Sequence, residues 1–466
     1  MIELSLAEIA SAVGGRLTDD AHADLAVSGE VHTDSRLVVA GSVFFALRGA
    51  ETDGHLYASS AVESGAALLI VERALDLAAP QIVVADGVTA LAALARHVVA
   101  AVRARGDLRV VGITGSNGKT TTKNMLRAIL GAEGATVAPE GSFNNHVGAP
   151  ISMLRLEHDT RYLVVEMGAS GIGEIASLVS IATPDVGIVL KVGLAHVGEF
   201  GGHDAVQRAK SEMVTDLPET AVALLNADDP RVVPMAGLTR ADVRWFGTTS
   251  GSEVRADDIE LTASGTSFTL LVDGAAHPVR LRILGEHHVM NALAAIAAAR
   301  ELSVPVERSI AALEQLTRAE RWRMEVLPAA GGVTVINDAY NASPDSTAAA
   351  LKTLAHLTRG TGRSIAVLGE MAELGSFTDE EHDRIGRLVV RLNIGQLVVV
   401  GHEARHIHNA AGLEGSWDGE SVLVDTVDEA YDVVRGLLEE GDVVLVKSSK
   451  SAGLRFLGDR LAEVPA

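Results

Sequence analysis

Residues 110–122 read VVGITGSNGKTTT, and the fold of the chain is organised around this stretch. The apolar run from Leu108 to Ile113 is typical of a buried strand, and the segment from Lys119 to Leu130 is typical of a helix. A glycine-rich turn joins them. Its backbone N–H groups and the helix dipole favour a polyphosphate, with Lys119 in reach of the β- and γ-phosphates and Thr120 in reach of magnesium. The stretch therefore predicts a cradle for ATP or GTP.

This loop is shorter than the usual phosphate-binding loop, because Ile113 stands where the first glycine would be. The alternative is an ordinary strand-to-helix turn that happens to contain Gly-Lys-Thr. The strand and the helix on either side favour the cradle. Its predicted nucleotide-binding residues are Gly115, Ser116, Asn117, Gly118, Lys119, Thr120 and Thr121.

Length and composition restrict the class of protein. A chain of 466 residues is too long for one core and suggests about three domains. It has no cysteine, which excludes disulfides and thiolate chemistry and agrees with a reducing cytosol. The first ten residues have no signal-peptide pattern and no later run reaches membrane-spanning length, so we expect a cytoplasmic protein without membrane insertion. The formal charge of −22 disfavours a nucleic-acid partner.

The first hundred or so residues predict a small α/β unit, with a helix over 4–13 and short strands over 43–47 and 67–71. Its polar motifs are TDSR at 33–36 and GAETDGH at 49–55. Local evidence alone favours turn residues with an exposed ion pair.

Two strands of the central region end in residues that could bind a metal. Glu166 lies near the end of the run 162–168, and His196 follows the apolar run 185–190. Because ligands bind outside the carboxyl ends of strands in open parallel sheets, both side chains are expected near Lys119 and Thr120. The alternative for Glu166 is an exposed turn carboxylate.

The rest of the chain predicts further sheet structure. Alternation of period two over 251–284, with an Asp273-Gly274 turn, indicates an antiparallel hairpin attached to the parallel sheet. From Gly332 onwards strands and helices alternate, which predicts a second open parallel sheet with right-handed crossovers. The predicted domains are 1–105, 106–317 and 318–466.

Taken in order, these motifs resemble those of the Mur ligase and folylpolyglutamate synthase superfamily, and most closely the Mur ligase family. The resemblance covers nearly the whole chain. It is carried by the following stretches: DSR at 34–36, DGH at 53–55, TGSNGKTTT at 114–122, GSFNNHVGAP at 141–150, AKSE at 209–212 and NDAYNASPDS at 337–346.

The resemblance implies an α/β protein of three domains: a small UDP-binding α/β domain, a central P-loop parallel-sheet ATPase domain and a C-terminal Rossmann-like open α/β domain. It implies a ligase that uses ATP and two Mg²⁺ to join D-alanyl-D-alanine to a UDP-N-acetylmuramoyl-tripeptide, as a monomer. The diaminopimelate-adding enzyme would show Asp-Asn-Pro-Arg, which the C-terminal region lacks. Alternatives are a diaminopimelate- or lysine-adding Mur ligase, a folylpolyglutamate synthase-like ligase and a non-enzymatic nucleotide switch.

The resemblance also implies roles for individual residues. Glu166, His196 and Thr120 would bind magnesium, and Lys210 would carry a carbamate near a second magnesium. The plain alternative is that Lys210 is a solvated lysine paired with Glu212 or Asp216. The residues expected to bind adenosine are His287, Asn291, Asp338, Tyr340 and Asn341, and those expected to bind the UDP substrate are Ser35, Arg36, Asp53, His55, Asn144 and Asn145.

An arginine at the join to the last domain would contact the γ-phosphate, and Arg323 is favoured over Arg318 and Arg321. Lys191 and His288 both stand where the family pattern has Asn. Together with Lys119, Lys210 and His196, Arg323 completes the expected catalytic set.

Overall fold

The computed structural model describes residues 1–49, 51–139, 141–195, 197–262, 264–360, 362–415 and 417–463. Its first unit is a small α/β unit with a five-stranded sheet of order β2-β7-β6-β5-β4. All neighbouring strands of this sheet are parallel except β2 and β7. The expected α/β class is confirmed. The elements are β1 (Leu4–Ser5), α1 (Leu6–Ala12), β2 (Arg16–Leu17), β3 (Ala26–Val27), β4 (Val31–His32), β5 (Val43–Phe45), α2 (Ala58–Glu63), β6 (Leu68–Val71), β7 (Gln81–Val83) and α3 (Gly87–Arg105).

Two details of this unit differ from the sequence expectation. Helix α1 begins at Leu6 rather than Leu4, because Ser5 caps it through a capping box with Glu8 and Leu4–Ser5 pairs with β3. Helix α3 is long and apolar enough, by length and composition, to cross a membrane, so the expectation of no run of that length is wrong. One face of α3 is buried against α1 and against residues 148–153 and 174–182, as in a core helix.

The central unit is a mixed sheet of order β16-β15-β14-β13-β12-β11-β8-β10-β9, parallel from β9 to β14 and antiparallel beyond. Helices cover both faces, as expected for an open α/β sheet. Its elements are β8 (Arg109–Thr114), α4 (Lys119–Gly131), β9 (Thr136–Val137), α5 (Gly148–Met153), β10 (Tyr162–Glu166), α6 (Glu174–Ala182), β11 (Val186–Val189), α7 (Val197–Phe200), α8 (His203–Thr215), β12 (Val222–Asn226), β13 (Asp242–Gly247), β14 (Val254–Thr262), β15 (Gly265–Val272), β16 (Ala275–Leu281), α9 (His287–Glu301) and α10 (Val306–Gln315).

The last unit is a second sheet of order β17-β18-β22-β19-β20-β21, which is parallel apart from the edge strand β17. Its elements are β17 (Glu325–Pro328), β18 (Thr334–Asn337), α11 (Pro344–Leu357), β19 (Ser364–Leu368), α12 (Thr378–Arg391), β20 (Gln396–Val400), α13 (Arg405–Leu413), β21 (Glu420–Val424), α14 (Val427–Leu437), β22 (Val443–Lys447) and α15 (Leu454–Leu461). The predicted domain boundaries, after residues 105 and 317, fall in connections between elements and stay predictions.

The central and C-terminal units touch along one edge. Ser343, which caps α11, donates a hydrogen bond to Asn117 Oδ1 at 3.0 Å. Lys191 Nζ lies 3.6 Å from Asp345 Oδ1. The carboxyl ends of the central strands therefore face the start of a helix in the last unit.

The Asp273-Gly274 turn allows a stability prediction. Gly274 has a φ of +78° and open space where a Cβ would be, so Gly274→Ala tests backbone strain alone. We expect a loss of about 1 kcal/mol in the free energy of unfolding, measured by denaturant titration. The control Gly237→Ala also enters open space but has no positive φ and should change little. Equal effects of the two substitutions would contradict the turn conformation.

Candidate active site

The glycine loop between β8 and α4 has the form of a phosphate cradle. Gly118 has a φ of +88°, and a Cβ there would lie 2.3 Å from Asn291 Oδ1. The Ser116 backbone N–H donates to the Lys191 carbonyl at 2.8 Å, and its hydroxyl accepts from the Gly193 N–H at 2.9 Å. The loop is therefore fixed to the segment that follows β11, and the N-terminus of α4 lies at the cradle.

Lys119 lies inside this cradle. Its Nζ donates to the Gly115 carbonyl at 2.7 Å. Burial lowers the pKa of Lys119, and the Glu166 carboxylate partly opposes that shift. A half-buried cation without a fully matching counter-charge is suited to an anionic ligand.

A carboxylate and hydroxyl groups meet beside Lys119, where β10 ends. Glu166 is buried and pairs in register with Ile113 of β8. Its carboxylate accepts from Thr120 Oγ1 at 3.0 Å and from Asn144 Nδ2 at 3.0 Å. Hard oxygen donors of this kind suit Mg²⁺. His196, the other predicted ligand, lies outside the described residues.

Lys210 is buried on α8, with 1% of its surface exposed. Burial, followed by the nearby Lys119 charge, lowers the pKa of Lys210 to about 7. Among the described residues no ion pair joins Lys210 to Glu212 or Asp216, and the Glu212 carboxylate accepts the Gly173 N–H at 2.6 Å and the Ala176 N–H at 3.0 Å. The alternative of a solvated lysine paired with Glu212 or Asp216 is therefore wrong.

The three arginines at the join to the last unit make different contacts. Arg318 donates to Glu325 at 2.7 Å and Arg321 to Asp459 at 3.0 Å. Arg323 instead donates to Thr120 Oγ1 at 3.2 Å and stacks over the Tyr340 ring, 4.4 Å from its centroid. Of the three, Arg323 is the arginine that reaches the cradle.

The start of α9 closes another wall of the cavity. Asn291 Nδ2 lies 3.2 Å from His288 Nδ1, and Thr122 Oγ1 donates to Asn291 Oδ1 at 3.4 Å. His288, in the place of the expected Asn, is thus a buried support for Asn291. Burial lowers the pKa of His287 to about 4, which leaves a neutral imidazole, and its Nδ1 has no partner in the described structure. His287 therefore contributes a neutral imidazole, not a cation, to this wall.

The last unit supplies the opposite wall. Lys447 Nζ donates to Asp338 Oδ2 at 2.6 Å and to the Asn341 carbonyl at 3.1 Å, so this lysine meets a carboxylate of its own chain. With the cradle, these residues enclose a cavity of about 400 Å³. The predicted residues that line it are Ser116, Asn117, Gly118, Lys119, Thr120, Thr121, Asn144, Asn145, Glu166, His287, Asn291, Arg323, Asp338, Tyr340 and Asn341.

The predicted UDP-binding residues of the first unit do not line this cavity. Asp53 caps a short helical turn and bonds His55 Nδ1 at 2.6 Å, while His55 Nε2 accepts the Glu72 N–H at 2.9 Å. Arg36 is exposed and pairs with Asp34 at 2.6 Å. The local turn interpretation describes these contacts, and the UDP-binding role stays a prediction.

Sequence reasoning missed two contributors to the cavity region. Ser142 Oγ lies 3.2 Å from Thr120 Oγ1 and accepts from Arg323 at 3.3 Å. Lys123 is fully buried and donates to the Gly141 carbonyl, which holds the Ser142 loop against α4. The spacing of Lys123, one helical turn after Lys119, is a signal that could have found it.

A cradle at a strand-to-helix junction, with a hydroxyl and a carboxylate beside it, is typical of P-loop enzymes that act on nucleoside triphosphates. Models of Mur ligase domains match the chain: the "Mur ligase family, catalytic domain" over 29–105, the "Mur ligase middle domain" over 113–299 and the "Mur ligase, glutamate ligase domain" over 322–450. The chain belongs to the Mur ligase family.

Individual relatives agree with the family. The chain is 44% identical to UDP-N-acetylmuramoyl-tripeptide--D-alanyl-D-alanine ligase of Mycobacterium tuberculosis, over 99% of this chain and 98% of that protein. A crystal structure of MurF from Acinetobacter baumannii superposes with a TM-score of 0.90 at 31% identity, covering 99% of both chains. MurF ligase from Thermotoga maritima in complex with ADP has a TM-score of 0.82 at 28% identity, covering 94% of this chain and 98% of that one.

The cradle predicts a specific sensitivity at Gly118. Gly118→Ala combines a positive φ with a Cβ that would overlap Asn291, so the loop must distort. We expect ADP binding, measured by calorimetry, to weaken at least about tenfold. Gly131→Ala, at the other end of α4 and in open space, is the control and should bind ADP normally. Unchanged binding by Gly118→Ala would show that nucleotide does not use this loop.

Proposed function

We propose that this protein catalyses the ATP-dependent ligation of D-alanyl-D-alanine to UDP-N-acetylmuramoyl-tripeptide, in the cytoplasmic synthesis of peptidoglycan precursors. The observation that carries the proposal is similarity over the full chain to a ligase of that name, at 44% identity. The cavity between the central and C-terminal units supports it, because Arg323 of one unit reaches Thr120 of the other.

The proposed reaction has two steps. The tripeptide carboxylate attacks the γ-phosphorus of ATP, which forms an acyl phosphate and releases ADP. The amine of D-alanyl-D-alanine then attacks the acyl carbon, forms the peptide bond and releases phosphate. Both steps bring anions together or move negative charge, so positioned cations and exclusion of water matter most.

The chain's own residues fit the first step. The cradle N–H groups and Lys119 would hold the β- and γ-phosphates, and Arg323 would contact the γ-phosphate from the other side. His287 and Asn291 would meet the adenine, with Asp338, Tyr340 and Asn341 around the adenosine. Each of these residues lines the same cavity, which supports the assignment.

A magnesium site fits beside the cradle. Thr120 and Glu166 already converge, with a hydroxyl-to-carboxylate distance of 3.0 Å, and both offer oxygen ligands. His196 is proposed as a further ligand and a carbamate on Lys210 as the ligand of a second magnesium. The metal ions would neutralise charge on the phosphates.

The surroundings of Lys210 support carbamylation. Only a neutral amine attacks CO2, and a lysine whose pKa is about 7 is substantially neutral at physiological pH. Its ammonium has no carboxylate partner in the described structure and lies 5.8 Å from the centroid of the Phe200 ring. Carbamylation replaces a buried cation by an anion that a metal ion can match.

The UDP substrate would bind across the first and central units. Ser35, Arg36, Asp53 and His55 are proposed on the first unit, and Asn144 and Asn145 on the central one. The loop of Asn144 supports this, since Asn144 contacts Glu166 and Asn145 lines the cavity.

Phosphate release tests the proposed reaction. We expect release from ATP to require both UDP-N-acetylmuramoyl-tripeptide and D-alanyl-D-alanine, and mass spectrometry to show the pentapeptide product. Assays with diaminopimelate, lysine or glutamate in place of the dipeptide are the controls. Turnover supported by one of these single amino acids, with none from the dipeptide, would move the chain to another ligase.

Lys210 gives a second prediction. As the pH falls below about 7, protonation of the amine prevents carbamate formation, so activity should fall and added bicarbonate should partly restore it. Lys210→Ala should be inactive and regain turnover with short-chain carboxylates. Lys352→Ala, an exposed lysine of α11, is the control and should be normal without rescue. Normal turnover by Lys210→Ala alone would exclude the carbamate.

A further inference from the structure

The residues on both sides of Arg323 have an unusual backbone conformation. Trp322 has a φ of +61° and Met324 a φ of +49°. Non-glycine residues with side chains of this size rarely adopt the left-handed region, and they do so where surrounding structure holds them. The segment that carries Arg323 therefore needs external restraints on both sides.

Three buried carboxylates supply those restraints. The Trp322 N–H donates to Glu325 Oε2 at 2.9 Å, and the Met324 N–H donates to Asp338 Oδ1 at 3.0 Å. The Trp322 indole Nε1–H donates to Asp459 Oδ2 at 2.9 Å. Hydrogen bonds to ionised acceptors are stronger than neutral ones, so each restrains the segment firmly.

Each carboxylate also pairs with another cation, and among the described residues none of the three forms an ion pair with Arg323. Arg318 pairs with Glu325, Arg321 with Asp459 and Lys447 with Asp338. Because these charges are matched locally, none competes with the cradle for the Arg323 guanidinium. Arg323 is thus held in place through its neighbours' bonds rather than through its own ion pair.

Asp459 is the most remote of the three, since it comes from the last helix, α15. Its Oδ1 also accepts from Asn337 Nδ2 at 3.1 Å, at the end of β18 and one residue before Asp338. The close approach of α15 depends on Gly458, where a Cβ would lie 2.4 Å from Asn337 Nδ2. Asp459 therefore joins the Trp322 side of the segment to the strand that holds the Met324 side.

We propose that Asp459 is a positioning residue for phosphoryl transfer, which fixes the left-handed segment at Trp322 and thereby directs Arg323 to the cradle. This inference rests on the role proposed for Arg323. Asp459 does not line the cavity, and its bond to the Trp322 indole connects it to the residue next to Arg323.

Steady-state kinetics with a double-mutant cycle tests the proposal. Asp459→Asn keeps the side-chain shape but removes the charge and one acceptor, so kcat should fall about ten- to a hundredfold. The KM for ATP should stay within about twofold, because the cradle itself is intact. In an Arg323→Ala background the same substitution should lower kcat no further than about twofold.

The matched control is Asp428→Asn. Asp428 lies in α14 and pairs at 2.6 Å with Arg460 of α15, the helix that carries Asp459. Its side chain is 84% exposed, so kcat should not change. Trp322→Phe is a second variant: it removes the indole donor, and it should lower kcat in the same way even where Asp459→Asn fails to fold.

The outcomes distinguish the role proposed for Arg323 from the positioning role proposed for Asp459. If Arg323→Ala keeps full kcat, the role proposed for Arg323 is wrong. If Arg323→Ala loses activity while Asp459→Asn and Trp322→Phe do not, or lose it additively with Arg323→Ala, the positioning role of Asp459 is wrong and the proposed function stands.

Discussion

The parallel pairing of β8 with β10 and β11 is the constraint on which the site depends. In this register Glu166 lies beside Ile113, and Val189 lies beside Thr114, so three strands end at one edge. The cradle, the proposed magnesium ligands Thr120 and Glu166 and the segment before His196 all lie at that edge. The same edge faces the start of α11, so this is where the last unit contacts the central unit.

Most of the fold could be predicted because its strands are apolar runs bounded by glycines, as at 108–118. The hairpin could be predicted because Asp273-Gly274 is a typical turn sequence. In the structure both residues adopt the positive φ that such turns need. Strand β21 and helix α13 lie in the region where strands and helices are predicted to alternate, but the sequence does not mark either of them individually. β21 is a half-exposed edge strand and α13 is short and rich in histidine, so neither gives a strong periodic signal. The antiparallel edge strand β17 was missed, because four residues ending in proline resemble a loop.

The candidate site was predictable where its residues are close in sequence and less so where they are not. The cradle follows from one short stretch, and the choice of Arg323 over its neighbours agrees with the contact to Thr120. The burial of Lys210 could not be read from its helix, since AKSE is equally compatible with a solvated surface. Contacts such as Trp322 with Asp459 join residues that no local pattern relates, and only the folded chain brings them together.

Electrostatics explain how a chain of net charge −22 can accept anionic substrates. Burial lowers the pKa of Lys119, Lys123 and Lys210, and the Lys119 charge contributes to the shift at Lys210. Lys119 and Lys123 lie near Glu166, and Lys210 has Glu212 and Glu174 in its surroundings. Holding three partly or fully buried cations without a full set of counter-charges is costly in the absence of a ligand. A polyphosphate would supply the missing negative charge. The acidic exterior then matters little, because the field that a bound nucleotide meets is set by groups within a few ångströms and shielded from water.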